Sequence, residues 1–264
     1  MNGRLEKGYI GLSFDDGRID NYTIVYPLLK KYNIPATFNI TTGYIKGDKD
    51  AKPTDVKPMT VNMVKEFGAN PLFEIAGHGY YHRNDIDDIK KGFSELKEIL
   101  KVKTLTPDGD GFASPGTGLS QIVWQKLGSG RGDVKYARVS LRYLNHVKLK
   151  TFIRKASRVL KWPVLYRLAY QDTLMNNMQD GILYFVPVLS SITNSELEAL
   201  IKYAAVHKKA LVLMFHSIVL KGQIHDNWDF EENKFEKLLL FIQEMQSKEL
   251  LDVLTSMEIS KRLK

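Results

Sequence analysis

Two histidines four residues apart, His78 and His82, and two adjacent aspartates, Asp15 and Asp16, have the types and spacing of catalytic residues. Histidines at i and i+4 on a helical turn project from one face and can bind one ion together. Two histidines and one carboxylate leave a zinc ion an open position for water, which is typical of catalytic zinc sites. Neighbouring side chains at a strand end point in different directions, so one aspartate can bind metal while the other acts as a base on water.

Each of these patterns also has an ordinary structural explanation. Histidine pairs at this spacing are often surface or core residues, and Asp15-Asp16-Gly17 has the composition of a solvated turn. The catalytic hypothesis therefore depends on a fold that brings the two patterns together.

Short apolar runs alternate with amphipathic stretches, which is the pattern of repeated strand–helix units with a parallel sheet. The predicted strands are residues 9–14, 36–40, 72–76, 111–113, 136–140, 182–186, 211–215 and 251–254. The predicted helices are residues 20–32, 60–67, 85–102, 194–207 and 231–246. An open doubly wound sheet gives a similar pattern. Because polar residues directly follow several strands, we expect an α/β fold, a deformed (β/α) barrel of about seven strands whose carboxyl ends meet at one mouth.

The composition is that of a folded globular protein of 264 residues, with 44% hydrophobic and 26% charged residues. The sequence has no cysteine, which excludes disulfides, thiolate ligands and a cysteine nucleophile, so any metal must bind histidine and carboxylate. The apolar runs are far shorter than the ~18 residues of a membrane span. No signal peptide precedes the first strand, so we expect a cytoplasmic protein with one domain over residues 1–264.

The joint placement of these residues resembles the polysaccharide deacetylase, or NodB-homology, family of metal-dependent carbohydrate esterases. Ser13-Phe14-Asp15-Asp16-Gly17 is similar to the first motif of that family, and residues 78–82 are similar to its second. Leu213-Met214-Phe215-His216 is similar to a late Leu-x-His element. The resemblance covers most of the chain apart from an insertion at about residues 144–181.

The resemblance implies that Asp16, His78 and His82 bind one divalent metal ion, with zinc favoured. It also implies that Asp15 is the general base and that His216 is the general acid that protonates the leaving amine. Amide cleavage needs these two proton transfers, and histidine suits the second because its ordinary pKa lies near neutrality.

The chain departs from the family pattern at three places. Gly79 replaces the usual hydroxyl residue of the second motif, which should remove one local hydrogen bond. The third motif, normally Arg-Pro-Pro-aromatic, is Ala113-Ser114-Pro115-Gly116, so the arginine that orients the base and the aromatic that lines the sugar groove are missing. The aspartate that supports the acid histidine has no clear match, and Asp172 is the suggested partner of His216. We expect surface or helix-end positions for the remaining histidines, His146, His207 and His225, the last of which is also a candidate loop contact to substrate.

The leading hypothesis is a hydrolase that removes an N-acetyl group from an amino sugar of a cell-surface glycan or its precursor. We expect substrate contacts at Pro115, Gly116 and Tyr81, with the Gly116 N–H available to an oxyanion. The alternatives are deformylation of a lipid-linked aminosugar, hydrolysis of a small amide, and a glycan-binding homologue without turnover.

The net charge of +8 is concentrated in residues 131–170, which hold eleven Lys or Arg and one Asp, or +10. Apolar residues recur at three- and four-residue spacing within residues 147–168, which predicts a basic amphipathic helix that ends or kinks near Pro163. Its apolar stripe either packs on the barrel or contacts an anionic membrane or lipid-linked glycan, which would place the protein at the inner face of a membrane. We expect no nucleic-acid partner, because no nucleic-acid-binding module is visible.

Overall fold

Seven parallel strands form a closed barrel, as the sequence predicts. The computed structural model describes residues 5–116, 118–140 and 148–264. The barrel strands are β1 (Gly8–Phe14), β2 (Ala36–Ile40), β3 (Phe73–Gly77), β4 (Asp110–Ala113), β5 (Val134–Ser140), β6 (Ile182–Pro187) and β7 (Ala210–Phe215). Strand β1 pairs with both β2 and β7, and this second pairing closes the ring.

Irregular pairings deform the barrel. Strand β10 (Leu251–Val253) pairs with the start of β1, whereas β2 pairs with the last two residues of β1. Strands β3 and β4 meet at the pair Gly77 and Phe112. Two short strands, β8 (Ser217–Val219) and β9 (Asp229–Glu231), form a separate parallel sheet just beyond the carboxyl end of β7.

Helices follow most of the strands. They are α1 (Tyr26–Tyr32), α2 (Thr42–Ile45), α3 (Val61–Ala69), α4 (Ile86–Leu100), α5 (Gln121–Lys126), α6 (Lys148–Leu160), α7 (Pro163–Tyr170), α8 (Asn194–Val206), α9 (Glu232–Ser247) and α10 (Ser256–Arg262). A π-helical turn (Asn21–Val25) precedes α1, and a 3-10 turn (Gln171–Thr173) follows α7. Helices α6 and α7 form the predicted basic segment, although His146 and Val147 lie outside the described residues. None of the described helices is both long enough and apolar enough to cross a bilayer.

Packing of Phe14 outside the barrel directs the next residue of the chain inward. The Phe14 ring lies between Phe38 of β2 and Phe215 of β7, at centroid distances of 5.3 and 5.2 Å, and contacts Phe235 of α9 edge-on. Side chains alternate between the two faces of a strand. Asp15 therefore points into the barrel mouth at the point where β1 ends.

A buried carboxylate joins α10 to the barrel interior at the amino ends of the strands. Glu74 of β3 accepts hydrogen bonds from Tyr136 Oη at 2.7 Å and from Thr37 Oγ1 at 2.9 Å. The backbone N–H of Met257, in the first turn of α10, donates to the same carboxylate at 2.9 Å. Burial raises the pKa of Glu74, and these three donors oppose that effect.

Replacing Glu74 with alanine should lower the free energy of unfolding by about 2–4 kcal/mol, because three buried donors lose their acceptor. Urea unfolding followed by circular dichroism measures this change. Glu98→Ala, which removes an exposed carboxylate from α4, is the matched control and should change the value by less than about 0.5 kcal/mol. Equal effects of the two variants would contradict a stabilising role for this network.

Candidate functional site

The structure brings the three predicted metal ligands together at the carboxyl ends of β1 and β3. Asp16 Oδ1 lies 3.6 Å from His78 Nε2 and 3.4 Å from His82 Nε2. One donor atom from each residue lies within 4.8 Å of the other two. The two imidazole rings stand edge to face with centroids 4.8 Å apart. Three donors converge on a common point, as a metal site requires.

A loop, and not a helical turn, places the two histidines side by side. Strand β3 ends at Gly77 and α4 begins at Ile86, and the residues between them are irregular. Gly79 and His82 have φ values of 78° and 61°, in the left-handed region. The expectation of a shared helical turn is therefore wrong, because residues of a right-handed helix have negative φ angles.

Asp88, in the first turn of α4, holds this loop in place. Its carboxylate accepts hydrogen bonds from the backbone N–H groups of Tyr80, Tyr81 and Arg83 at 3.1, 2.7 and 3.0 Å. A Cβ atom on Gly79 would lie 2.4 Å from Asp88 Oδ2. The glycine that departs from the family pattern thus leaves room for a carboxylate that makes three bonds to the loop.

The hydrogen bond of His78 fixes which ring nitrogen faces the site. Its Nδ1 lies 2.8 Å from the carbonyl oxygen of Ala113, so Nδ1 carries the proton and Nε2 keeps its lone pair. Burial lowers the pKa of His78 to about 3, against the opposing charge of Asp15. His78 is therefore a neutral imidazole at pH 7, which is the form that binds a cation.

The donor set fits a divalent cation. Asp16 Oδ1 is buried and has no hydrogen-bond partner among the described residues. Burial and the neighbouring Asp15 charge raise the pKa of Asp16 to about 7. A cation would supply the missing partner of this oxygen and favour the ionised carboxylate. Two imidazole nitrogens and one carboxylate oxygen are donors that zinc and other first-row metals accept.

Asp15 is ionised because Arg138, which reaches it from β5 across the barrel, compensates its charge. Burial raises the pKa of Asp15, but the Arg138 guanidinium and the nearby histidines outweigh burial and hold it at about 2. Arg138 Nη2 donates to Asp15 Oδ1 at 2.5 Å, and Asn39 Nδ2 donates to the same oxygen at 2.7 Å. The Arg138 side chain is 1% exposed.

Arg138 corrects the expectation that no arginine orients Asp15. It lies on β5 directly beside Ala113 of β4 in the sheet register, so the arginine is one strand away from the third motif. The sequence did contain a signal, because Arg138 is a charged residue inside an otherwise apolar predicted strand. Its partner lies 123 residues away in the chain, so local pattern did not reveal it.

His216 follows β7 and lies in the same cavity as the other predicted residues. Its ring centroid is 4.4 Å from that of Trp228. Burial lowers the pKa of His216 to about 4, although the Asp15 charge opposes this. His216 Nδ1 has no hydrogen-bond partner among the described residues, and the suggested partner, Asp172, is exposed on the turn after α7. The geometry gives no support to the suggested pairing with Asp172.

A cavity of about 850 Å³ contains all five predicted catalytic and metal-binding residues. They are Asp15, Asp16, His78, His82 and His216. Aromatic side chains of Tyr170, Phe185 and Trp228 also line it, and the sequence interpretation missed them because they belong to three distant segments. They give the cavity aromatic surface, whereas the last position of the third motif, Gly116, has no side chain.

The three expected substrate contacts are placed differently. Gly116 lines the cavity with a φ of 62°. Tyr81 and Pro115 are not among the described residues of the lining, and the Tyr81 hydroxyl instead accepts a hydrogen bond from Lys91 at 3.0 Å. Substrate binding by Tyr81 and Pro115 stays a prediction. His225 lines the cavity, and His207 caps the end of α8.

Residues 2–127 match the family model described as polysaccharide deacetylase. The matched part is just under half of the chain, and over these residues the chain is similar to the polysaccharide deacetylase family. Its predicted first and second motifs lie within the matched part.

The chain is also similar to the poly-β-1,6-N-acetyl-D-glucosamine N-deacetylase of Staphylococcus aureus (strain MRSA252), with 30% identity over 103 residues. That match covers 39% of this chain and 34% of the relative, so the chain aligns with about a third of the relative's length.

Two solved structures are similar over most of the chain. The catalytic domain of a peptidoglycan N-acetylglucosamine deacetylase from Eubacterium rectale has 18% identity, with 94% of this chain and 88% of that chain covered and a TM-score of 0.46. A family 4 acetyl xylan esterase from Clostridium thermocellum, in complex with a cobalt ion, has 14% identity, coverage of 95% and 89%, and a TM-score of 0.48.

Asp88→Asn should weaken zinc binding by about 10–100-fold, because an amide cannot accept from all three N–H groups that hold the loop between the histidines. Competition with a chromogenic chelator measures the affinity without any turnover. Asp87→Asn makes the same charge change on an exposed neighbour and is the matched control. A zinc affinity for Asp88→Asn equal to that of the control would show that the loop does not depend on this carboxylate.

The pKa of Asp16 predicts how stability depends on pH in the metal-free protein. Folding raises that pKa from its ordinary 3.8 to about 7, so between these values the native state holds a proton that the unfolded state releases. This contribution to stability is present below about pH 4 and is lost as pH rises to 7. Asp16→Asn should therefore gain stability relative to wild type over this window, by roughly 4 kcal/mol at most. Urea unfolding in chelator at several pH values tests this, and a difference that is constant with pH would contradict it.

Proposed function

We propose that this protein is a metal-dependent hydrolase that removes an N-acetyl group from an amino sugar of a cell-surface glycan or its precursor. The observation that carries this proposal is one cavity in which an ionised Asp15 lies beside an Asp16–His78–His82 donor set, with His216 in the same cavity. The similarity of residues 2–127 to the polysaccharide deacetylase family and the N-deacetylase activity of the Staphylococcus relatives support the same reaction.

Asp15 is proposed as the general base. Both of its described hydrogen bonds, from Arg138 and Asn39, go to Oδ1, which leaves Oδ2 to accept a proton from water. The low pKa keeps the carboxylate ionised throughout the neutral range. Fixing one oxygen also orients the other, and such positioning is a large part of general-base catalysis.

Asp16, His78 and His82 are proposed to hold the metal ion, and the donor set favours zinc. A divalent cation there supplies Lewis-acid polarisation of the acyl oxygen and lowers the pKa of water towards neutrality. Neutral imidazoles and an anionic carboxylate retain one negative charge, so the site is suited to a dication.

His216 is proposed to deliver a proton to the amine that leaves. It is neutral at pH 7 in the free protein, since burial lowers its pKa to about 4. In the proposed sequence, the proton that Asp15 accepts from the consumed water passes to His216 and then to the amine, and the products are a free amine and acetate. Trp228, packed on the imidazole ring, limits the orientations that His216 can adopt.

The cavity wall is proposed to bind a sugar ring. Tyr170, Phe185 and Trp228 offer apolar faces, and the Gly116 N–H at the mouth can donate to the acyl oxygen. Pro115 and Tyr81 are proposed as more remote contacts. Deformylation of an aminosugar and hydrolysis of a small amide use the same chemistry, so the acyl product distinguishes them.

We further propose that residues 147–168 contact an anionic membrane or a lipid-linked glycan, as the sequence predicts. Seven basic residues and no acidic residue occur from position 148 to position 171. Such a segment is attracted to anionic lipid by each nearby basic residue.

Acetate release from N-acetylglucosamine oligomers tests the proposed reaction. Asp15→Asn and His82→Ala should each lower kcat/KM by at least about 100-fold, because one removes the base and the other a metal ligand. Chelation should abolish release and zinc should restore it. Asp87→Asn, away from the cavity, is the control and should keep wild-type activity.

Wild-type rates in both variants would refute the catalytic assignment. Release of formate from N-formyl oligomers without acetate release would replace the N-acetyl substrate with the deformylase alternative. Stoichiometric metal with glycan binding but no acyl release would favour the binding homologue.

A further inference from the structure

Helices α6 and α7 expose large apolar side chains to solvent. Phe152 is 69% exposed, Val159 is 80% exposed and Trp162, between the helices, is 55% exposed. Leu160, Val164 and Leu168 are exposed as well. Burying apolar side chains is the main source of folding free energy. A single exposed apolar side chain is ordinary, but several within 17 residues mark an interaction surface.

The opposite side of the same helices packs on the protein. Ile153 is half-buried against the core and Ser157 is fully buried, one helical turn apart. Tyr166 and Tyr170 of α7 are also buried. The helices are thus anchored through one side, and Phe152, Lys155 and Val159 lie on the outer side at the i, i+3, i+7 spacing of a single stripe.

The turn between α6 and α7 lies at the same end of the barrel as the cavity. Lys161 Nζ, in the turn between α6 and α7, donates to the carbonyl oxygen of Ser191. The adjacent Ser190 N–H donates to the carbonyl oxygen of Asn227 at 3.0 Å. Asn227 immediately precedes Trp228, which lines the cavity beside His216.

The loop that carries Trp228 is itself apolar and exposed. Leu220, Ile224 and Trp228 are between 40% and 47% exposed. Tyr170, the last residue of α7, also lines the cavity. Exposed apolar groups therefore border the mouth on the side of α6 and α7.

We propose that the docking face, made of Phe152, Lys155, Val159, Leu160 and Trp162, binds an anionic lipid bilayer and turns the cavity mouth towards the lipid surface. Attachment to a membrane does not depend on which reaction the protein catalyses. The location of the glycan substrate at the membrane rests on the proposed function. A bilayer satisfies both properties of the face, because acyl chains accept the apolar side chains and anionic headgroups accept the basic ones. An acidic polymer would use the charge alone, and a second copy would bring two basic faces together against repulsion.

Vesicle sedimentation tests the docking face. At about 150 mM salt, wild-type protein should partition onto phosphatidylglycerol–phosphatidylcholine vesicles and much less onto phosphatidylcholine alone. Phe152→Ser with Trp162→Ser should weaken partitioning by about tenfold or more. Ile122→Ser with Val206→Ser removes two equally exposed apolar side chains elsewhere and is the matched control, expected to change it less than about twofold.

Equal partitioning of wild type on neutral and anionic vesicles would overturn the proposal, as would unchanged partitioning of the Phe152/Trp162 variant. Binding to a DNA duplex that exceeds vesicle binding and is insensitive to that variant would assign the face to an acidic polymer. A dimer in sedimentation velocity that the variant abolishes would assign it to a second copy.

Orientation is tested with Ile224→Ser, which changes an exposed residue of the mouth loop outside the described cavity lining. It should weaken vesicle partitioning by about threefold, and wild-type partitioning would show that the mouth does not face the bilayer.

Acetate release from a soluble oligomer without lipid should be the same for the Phe152/Trp162 variant as for wild type. If the wild type releases no acetate, the proposed function fails while the vesicle result still decides the docking face.

Discussion

Two adjacent carboxylates, Asp15 and Asp16, are buried side by side, and this constraint determines the chemistry of the site. They are 4% and 3% exposed, so two uncompensated negative charges there would be costly. Arg138 and Asn39 compensate Asp15, whose pKa falls to about 2. The pKa of Asp16 stays raised, and its buried Oδ1 has no hydrogen-bond partner among the described residues. A bound cation can be that partner. The two adjacent aspartates therefore suit two roles, Asp15 as a positioned base and Asp16 as a metal ligand.

Departures from the family pattern are compensated by groups that lie close in space. The φ of Gly79 is 78°, and the space a Cβ would need there is taken by Asp88, whose carboxylate bonds the loop through three N–H groups. Position 113, where the family pattern has an arginine, is an alanine, and the residue beside it in the sheet register is Arg138. In both cases a residue that is close in space occupies the position that the changed motif residue leaves open.

The sequence predicts the barrel and the side chains that follow its strands, because a parallel sheet brings all carboxyl ends to one mouth. It predicts the neighbourhood of Asp16, His78 and His82 correctly, but assigns a helical turn where positive φ angles are needed. Arg138 was not predicted because its pairing with Asp15 depends on barrel closure and not on local spacing. The aromatic cavity wall was missed for the same reason, since its members come from distant segments.

The most direct test of this account is a crystal structure of the zinc-loaded protein with anomalous scattering recorded at the zinc edge. We predict one zinc ion bound by Asp16 Oδ1, His78 Nε2 and His82 Nε2, with Asp15 still paired to Arg138. A zinc ion bound elsewhere, or one that takes Asp15 as its ligand while Asp16 turns away, would contradict it.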